Sequence, residues 1–445
     1  MKYISIFVAK TAMFILKKLN KGTAYPGEIA KKLDPNILKH LKKPKLTIAV
    51  TSTNGKTSTS NIITNILKQN GYTVGHNSSG TNIGNGVVSL LIENCNFKGE
   101  ITKDALVIEI DERHTKNIFK DFRPDYLVIG NITRDQAPRH GNLEVVMAAL
   151  KQGIFDDIHI VMNIDDPIVN KLTIDHKGEK TLYGIKKTKD SYKKDLVLSL
   201  DISACPKCGS KLKFDYFHYG NTGKYDCPNC DFKRIKPDFE VTKIDYEKKY
   251  YIINNITKIP LQNDVFFHVY NTLAAYSVLK QTDIKEEKIV EGLNKIDFSI
   301  VRFENLKLDD RKCVILSCKN ETPNSYDQSL LHITRNKEKK TVVFGFNRIC
   351  SRYDYADLTW LYDVDFELLN QNKIDKIVCV GKFRYDLATR LIHAGIDEKN
   401  IIMCETLENL IDTLKTKTKG NIYAALNFDI VRVFAEMVKG VEKWK

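Results

Sequence analysis

The chain has 445 residues, enough for two or three domains with cores of their own. Its 42% hydrophobic and 28% charged residues exclude a chain that is disordered throughout. A formal net charge of +14 points to a polyanionic partner, whether nucleotide, nucleic acid or anionic membrane face, although lysine-rich stretches such as "KKLDPNILKHLKKPK" also suit a merely solvated surface.

The first element is "YISIFVAKTAMFILKKL", apolar but interrupted by Lys10, too short to span a bilayer and followed by no small-residue cleavage site. It reads as an amphipathic helix packed on the next domain of a cytoplasmic protein, with peripheral membrane contact as the alternative. From residue 46, apolar runs ("KLTIAV", "DALVIEI", "DYLVIGN", "HIVMNID") alternate with helical stretches such as "SNIITNILKQNG", the pattern of a mostly parallel α/β sheet. Residues 198–237 break that rhythm with paired cysteines, aromatics and glycines. "FEVTKIDYEKKYYIINNI" then reads as a β-hairpin and "HVYNTLAAYSVLKQ" as a helix. A second α/β series follows residue 300 ("KCVILSC", "KTVVFGF", "KIVCVGK", "NIYAALN"), which places a domain boundary near residues 297–302.

Two motifs carry chemistry. "AVTSTNGKTSTSN" (residues 49–61) holds the Gly55-Lys56-Thr57 end of a phosphate-binding loop, but Val50 stands where the strict pattern has its opening glycine. A buried strand before it and a helix starting at Thr57 or Ser58 put it where helix N–H groups can face an anion, with Gly55 letting the backbone curl round a phosphate. Lys56 would then reach the terminal phosphates and the Thr57 hydroxyl would bind Mg2+; the alternative is a surface turn. Because the Lys56 side chain would meet phosphates rather than a core, its removal is expected to leave stability nearly unchanged. The second motif pairs Cys205 and Cys208 with Cys227 and Cys230, two Cys-x-x-Cys knuckles spaced as in zinc ribbons. Four thiolates close a tetrahedral site and leave no position for water, so the Zn2+ would be structural. The other six cysteines lie scattered in apolar runs, as in a reducing compartment.

"STNGKTS" resembles the shorter phosphate loop of the Mur ligase family, with Ser52 in place of the family's glycine. Further matches follow in order: "NSSGTNIGNGV", "ALVIEIDE", "NITRDQAPRHGNLE", "NIDDP", "HVYNTLAA" and "VRFEN". The resemblance implies an ATP and Mg2+ site formed by Thr53, Asn54, Gly55, Lys56, Thr57 and Ser58. Glu109 would be the metal-binding glutamate, with Glu112 beside it, Asn271 the adenine contact and Arg302 a phosphate contact. Singly, each has a plainer reading: exposed carboxylates at a strand end, a helix cap, a surface arginine.

The ribbon, together with "KGTAYPGEIA", "DLTWLYDVDFE" and "GKFRYDLATRLIHAGID", narrows the resemblance to the MurT family, the synthetase subunits of lipid II isoglutaminyl synthases. It implies an α/β fold: an N-terminal helical segment (1–45), a P-loop central domain (46–299) with a zinc-ribbon insertion at about 200–235, and a smaller Rossmann-like C-terminal domain (300–445). The implied reaction is ATP-dependent amidation of the α-carboxyl of D-glutamate in the lipid II stem peptide. Ammonia would come from a GatD-like glutamine amidotransferase partner in a heterodimer at the inner membrane face, without a transmembrane segment or nucleic acid. Lys56 and Glu109 are the implied catalytic pair. Asp357 would complete the partner's glutaminase triad in trans, with Asp354 as the other candidate and a helix N-cap as the plainer reading. "KNETPNSYDQSL", "NRICSRYDY" and "LNFDIV" depart from the family in the C-terminal part. An amino-acid ligase of the Mur or folylpolyglutamate type and a zinc-ribbon nucleic-acid-binding ATPase are the competing functions.

Overall fold

The computed structural model describes residues 1–440 apart from 20–23, 79–80, 135–141, 194–199, 263–264, 297–302, 320, 350–356 and 372. The domain boundary, Arg302, Asp354 and most of "NITRDQAPRHG" and "NRICSRYDY" therefore lie outside the described residues.

Among the described residues, eleven strands come before residue 261: β1 (Leu46–Thr51), β2 (Val74–His76), β3 (Ala105–Glu109), β4 (Tyr126–Ile129), β5 (His159–Asn163), β6 (Lys180–Ile185), β7 (Lys213–Tyr219), β8 (Thr222–Asp226), β9 (Phe239–Asp245), β10 (Tyr250–Ile253) and β11 (Thr257–Pro260). Nine of them form one sheet in the order β11-β10-β9-β6-β5-β4-β1-β3-β2, while β7 and β8 form a separate hairpin. Its pairs from β6 to β2 are all parallel, and the β9-β10-β11 meander adds an antiparallel edge. Buried on both faces, the central strands need continuous apolar runs rather than alternation, and every residue of "LTIAVT" in β1 is buried.

Helices cover both faces. In Lys56–Gln69, Ile62, Ile63, Ile66 and Leu67 turn one apolar stripe to the core. The helix Phe266–Leu279 is buried nearly all round, packed beside that helix on the same face of the sheet. On the opposite side the helices Lys2–Lys18, Tyr25–Leu33 and Gly84–Asn94 pack together. A Cβ at Gly27 would lie 2.0 Å from the Asn85 carbonyl oxygen, so only glycine lets the second and third of these approach so closely.

The C-terminal part builds a second sheet from β12 (Phe303–Leu308), β13 (Arg311–Cys318), β14 (Lys340–Gly345), β15 (Ile374–Val380), β16 (Ile401–Cys404) and β17 (Asn421–Asn427). Their order is β12-β13-β17-β14-β15-β16, parallel except for the β12 edge. Its two faces carry separate apolar cores.

The cysteine-rich segment is held by a buried ion cluster. Arg234 Nε donates to Asp165 Oδ1 at 2.5 Å and Nη2 to Glu240 Oε1 at 2.9 Å. Asp165 Oδ2 also accepts from the Ile185 amide and the Tyr270 hydroxyl. The "NIDDP" stretch is thus a structural hub that joins three separate elements. Removing one partner of such a pair strands the other charge in the core, so Arg234→Met is expected to cost about 3–5 kcal/mol. Urea unfolding at neutral pH measures it; a change below about 1 kcal/mol would contradict the role.

Candidate functional site

β1 lies between β3 and β4, and the chain leaves β3 to continue on the far side of β1 at β4. Such a switch in strand order opens a crevice at the carboxyl ends of the strands, where α/β proteins bind ligands. The turn Ser52–Gly55 emerges into it. Gly55 has φ +89, and a Cβ there would meet Asn271 Oδ1 at 2.2 Å. Both the left-handed conformation and the close approach demand glycine. The helix begins at Lys56, one residue before the range read from sequence, and Gly55 has no side chain to cap its first N–H groups.

The residues after β4 stitch the turn in place. Thr53 N donates to the Asn131 carbonyl (2.7 Å), Asn54 N to Asn131 Oδ1 (3.2 Å), and Thr133 N to Thr53 Oγ1 (3.0 Å). Ser52 joins this network: its hydroxyl accepts from Asn131 N at 2.8 Å. Its φ is negative, so a side chain in place of the family's glycine brings no backbone strain, and the hydroxyl adds a tie to the strand end.

Lys56 Nζ donates to the Ser52 carbonyl and lies 3.2 Å from Glu112 Oε1, both side chains being nearly buried. Burial disfavours its charge, but the carboxylates of Glu112, Asp111 and Glu109 outweigh that and hold the ammonium above the usual lysine range. Glu109 closes β3. Its backbone N–H and C=O are both held by the Asn77 side chain (2.9 and 2.8 Å), and Oε1 accepts from Asn82 at 3.2 Å. Asn77 and Asn82 therefore anchor the glutamate. Asn271 lies within the helix Phe266–Leu279, not at its end, which removes the helix-cap reading.

Residues 53–58, Asn82, Glu109, Glu112 and Asn271 line a cleft of about 390 Å³. Its far wall comes from the second sheet and the helix Pro323–Arg335, through Ser317, Lys319, Gln328 and His332. Asn82, Asn131 and Thr133 lie in stretches that match the family, and Lys319 and Gln328 in one that departs from it, but the sequence singles out none of them as a site residue. Nothing local marks Ser317 or His332.

Among the described residues, three buried polar atoms of this cleft lack a protein partner: Asn54 Nδ2, Asn271 Nδ2 and Glu109 Oε2. Two donors beside a glycine-lined turn and a carboxylate oxygen beside a lysine suit a nucleotide with its divalent cation. In the cysteine-rich segment the Cys205, Cys208, Cys227 and Cys230 sulfurs all lie within 4.8 Å of one another. Tetrahedral Zn–S bonds of about 2.3 Å need sulfurs about 3.8 Å apart, so the cluster fits that ion. Asp357 lies apart from the residues lining this cleft; its Oδ1 accepts from the Thr359 amide (2.8 Å) and hydroxyl (2.6 Å) at the start of the 3-10 helix Thr359–Asp363.

The fold is that of the Mur ligases. The Mur ligase middle domain profile matches residues 50–230. Among solved structures, a pseudomurein peptide ligase type C from Methanothermus fervidus shares the fold with TM-score 0.68 at 22% identity, covering 92% of this chain and 81% of its own. MurF from Acinetobacter baumannii does so with TM-score 0.64 at 14% identity, covering 92% and 80%.

Within that class the chain belongs to the MurT family, since the MurT ligase C-terminal profile matches residues 318–429 and MurT relatives align along nearly its whole length. The lipid II isoglutaminyl synthase (glutamine-hydrolyzing) subunit MurT of Staphylococcus aureus is 31% identical over 404 residues, 90% of each chain. The same subunit of Streptococcus pneumoniae is 25% identical over 98% of this chain and 96% of its own. No helix among the described residues is long and apolar enough to cross a membrane.

Proposed function

We propose that the chain amidates the α-carboxyl of D-glutamate in the lipid II stem peptide at the expense of ATP, as the synthetase subunit of a lipid II isoglutaminyl synthase. The observation that carries this reading is the cleft between the two sheets, whose phosphate-type turn, lysine and acidic strand end face a second wall from the MurT-type C-terminal part. The domain division follows: a helical segment to residue 45, an ATPase domain to 299 with the ribbon inserted at about 200–235, and a ligase domain from 300.

The turn Thr53–Ser58 would hold the β- and γ-phosphates of ATP, with Asn271 at the base and Arg302 as a further phosphate contact. A carboxylate oxygen of the substrate attacks the γ-phosphorus, the bond to the ADP oxygen breaks, and an acyl phosphate forms. Ammonia then adds to the acyl carbon, phosphate leaves and the nitrogen gives up a proton. Lys56 stabilises charge on the phosphoryl oxygens as it is transferred, a preorganised contribution that needs no movement at the moment of reaction. Glu109 and the Thr57 hydroxyl would hold Mg2+, which would offset the charge of the phosphates. Cys205, Cys208, Cys227 and Cys230 would hold a Zn2+ ion whose role would be confined to the fold, since four thiolates leave no place for water.

The purified chain with MgATP tests the reading when ammonium is compared with free amino acids as the nucleophile toward lipid II. Amide formation from ammonium alone supports it, and preferential amino-acid addition contradicts it.

Ammonia would be delivered by a GatD-like glutaminase partner, with Asp357 orienting that subunit's catalytic histidine. The same carboxylate also initiates the turn at Thr359. Asparagine keeps an oxygen for that turn but carries no charge. Asp357→Asn in the complex is therefore expected to lower glutamine-dependent amidation by about a hundredfold or more, with the ammonium-dependent rate retained. Equal rates from both nitrogen sources would leave Asp357 as a turn residue only.

A further inference from the structure

The N-terminal helix Lys2–Lys18 buries Ser5, Ile6 and Ala9 and leaves a second face uncovered. Tyr3, Ile4, Phe7, Phe14, Ile15 and Leu19 are each more than half exposed, and their spacing of three, four and seven residues puts them on one stripe. An exposed apolar stripe of this kind marks an interaction surface rather than a scatter of single residues. Phe97, on the turn after the helix Gly84–Asn94, widens it, with ring centroids 6.4 Å from Phe7.

The charge around the stripe says what covers it. The first 27 residues hold five lysines and no acidic residue. Lys2 Nζ lies 5.6 Å from the Tyr3 ring centroid and Lys18 Nζ 4.5 Å from that of Phe14, so a cation flanks the stripe at each end. Exposed Lys98 follows Phe97. A second protein copy would bring the same lysines against these, whereas a bilayer with anionic headgroups offers both an apolar interior and opposite charge. We infer that this face is a peripheral docking surface for an anionic bilayer, with the helix lying in the plane of the headgroups. It goes beyond the amidation reading, and it would hold the enzyme where a membrane-anchored substrate resides.

The helix is placed to matter for the cleft. Lys10 and Lys17 grip Glu93 at one end of the helix Gly84–Asn94, while Asn82, just before its other end, lines the cleft. That helix is about 16 Å long, so the lipid face and the active cleft are separated by roughly one short helix.

Vesicle co-sedimentation of the full chain, without ATP or lipid II, tests the inference separately from the reaction. The chain should partition onto vesicles of equal parts phosphatidylglycerol and phosphatidylcholine, and only weakly onto phosphatidylcholine alone. Phe7→Ser combined with Phe14→Ser should weaken that partition by at least tenfold, about the effect of losing one buried aromatic side chain, without changing the thermal unfolding of these solvent-exposed sites. Lack of binding by the parent chain, or undiminished binding by the folded double variant, would overturn it. So would a parent dimer that the double variant converts to monomer without any vesicle binding, since a second copy would then be the occupant.

Discussion

Lys56→Ala is expected to lower ATP turnover and amidation by roughly a thousandfold or more, because a fixed cation at the transferring phosphoryl group acts mainly in the transition state. The sequence alone suggested that stability would hardly change. The structure revises this. Lys56 sits among Glu109, Asp111 and Glu112, and with it gone a nearly buried Glu112 carboxylate loses its cation. The ligand-free variant should therefore be destabilised, by about 1–3 kcal/mol given that the cleft admits water, and Mg2+ should recover part of the loss. Thermal unfolding with and without Mg2+, alongside steady-state ATPase rates, checks both parts. Wild-type turnover by the folded variant would remove Lys56 from the mechanism.

The largest effect on stability is expected at the cysteine cluster. Purified without chelator, the chain should carry one Zn2+, and Cys227→Ser should lose it. Cys205 and Cys227 share a core with Leu212, Tyr225 and Phe232, continuous with one face of the main sheet. The free energy of binding at such a site, about 10–16 kcal/mol in isolated zinc modules, is also folding free energy, so a loss of about 5 kcal/mol or more is expected. The β7-β8 hairpin should open first, seen as faster amide exchange at residues 213–226 than in the sheet. Elemental analysis that finds no zinc, or a variant as stable as its parent, would contradict the assignment.

Much of this architecture is legible in the chain because buried parallel strands leave a local mark. "KLTIAV", "DALVIEI", "DYLVIGN" and "HIVMNID" are β1, β3, β4 and β5, and the hairpin read at "FEVTKIDYEKKYYIINNI" is β9 with β10. Short or edge elements leave less. β2 is three residues long, β11 extends the hairpin into a meander, and the motif "VRFEN" runs into β12, which pairs antiparallel with β13. The site divides in the same way. Gly55 and Lys56 belong to a contiguous motif, but the contact of Asn271 with the turn, the grip of Asn77 on Glu109 and the far wall at Lys319 arise only from tertiary packing. Arg234 is the sharpest case, since nothing in the sequence sets it apart from its basic neighbours Lys233 and Lys236 as the one buried against Asp165.

The most direct measurement of the central claim follows oxygen rather than product. Lipid II whose D-glutamate α-carboxylate is labelled with oxygen-18 is incubated with the chain, MgATP and ammonium, and the released phosphate is analysed by mass spectrometry. Attack of that carboxylate on the γ-phosphorus followed by displacement by ammonia moves one labelled oxygen into phosphate for each amide formed. The account predicts that stoichiometry, abolished in Lys56→Ala. Amide formed with unlabelled phosphate, or ATP hydrolysed without amide, would contradict it.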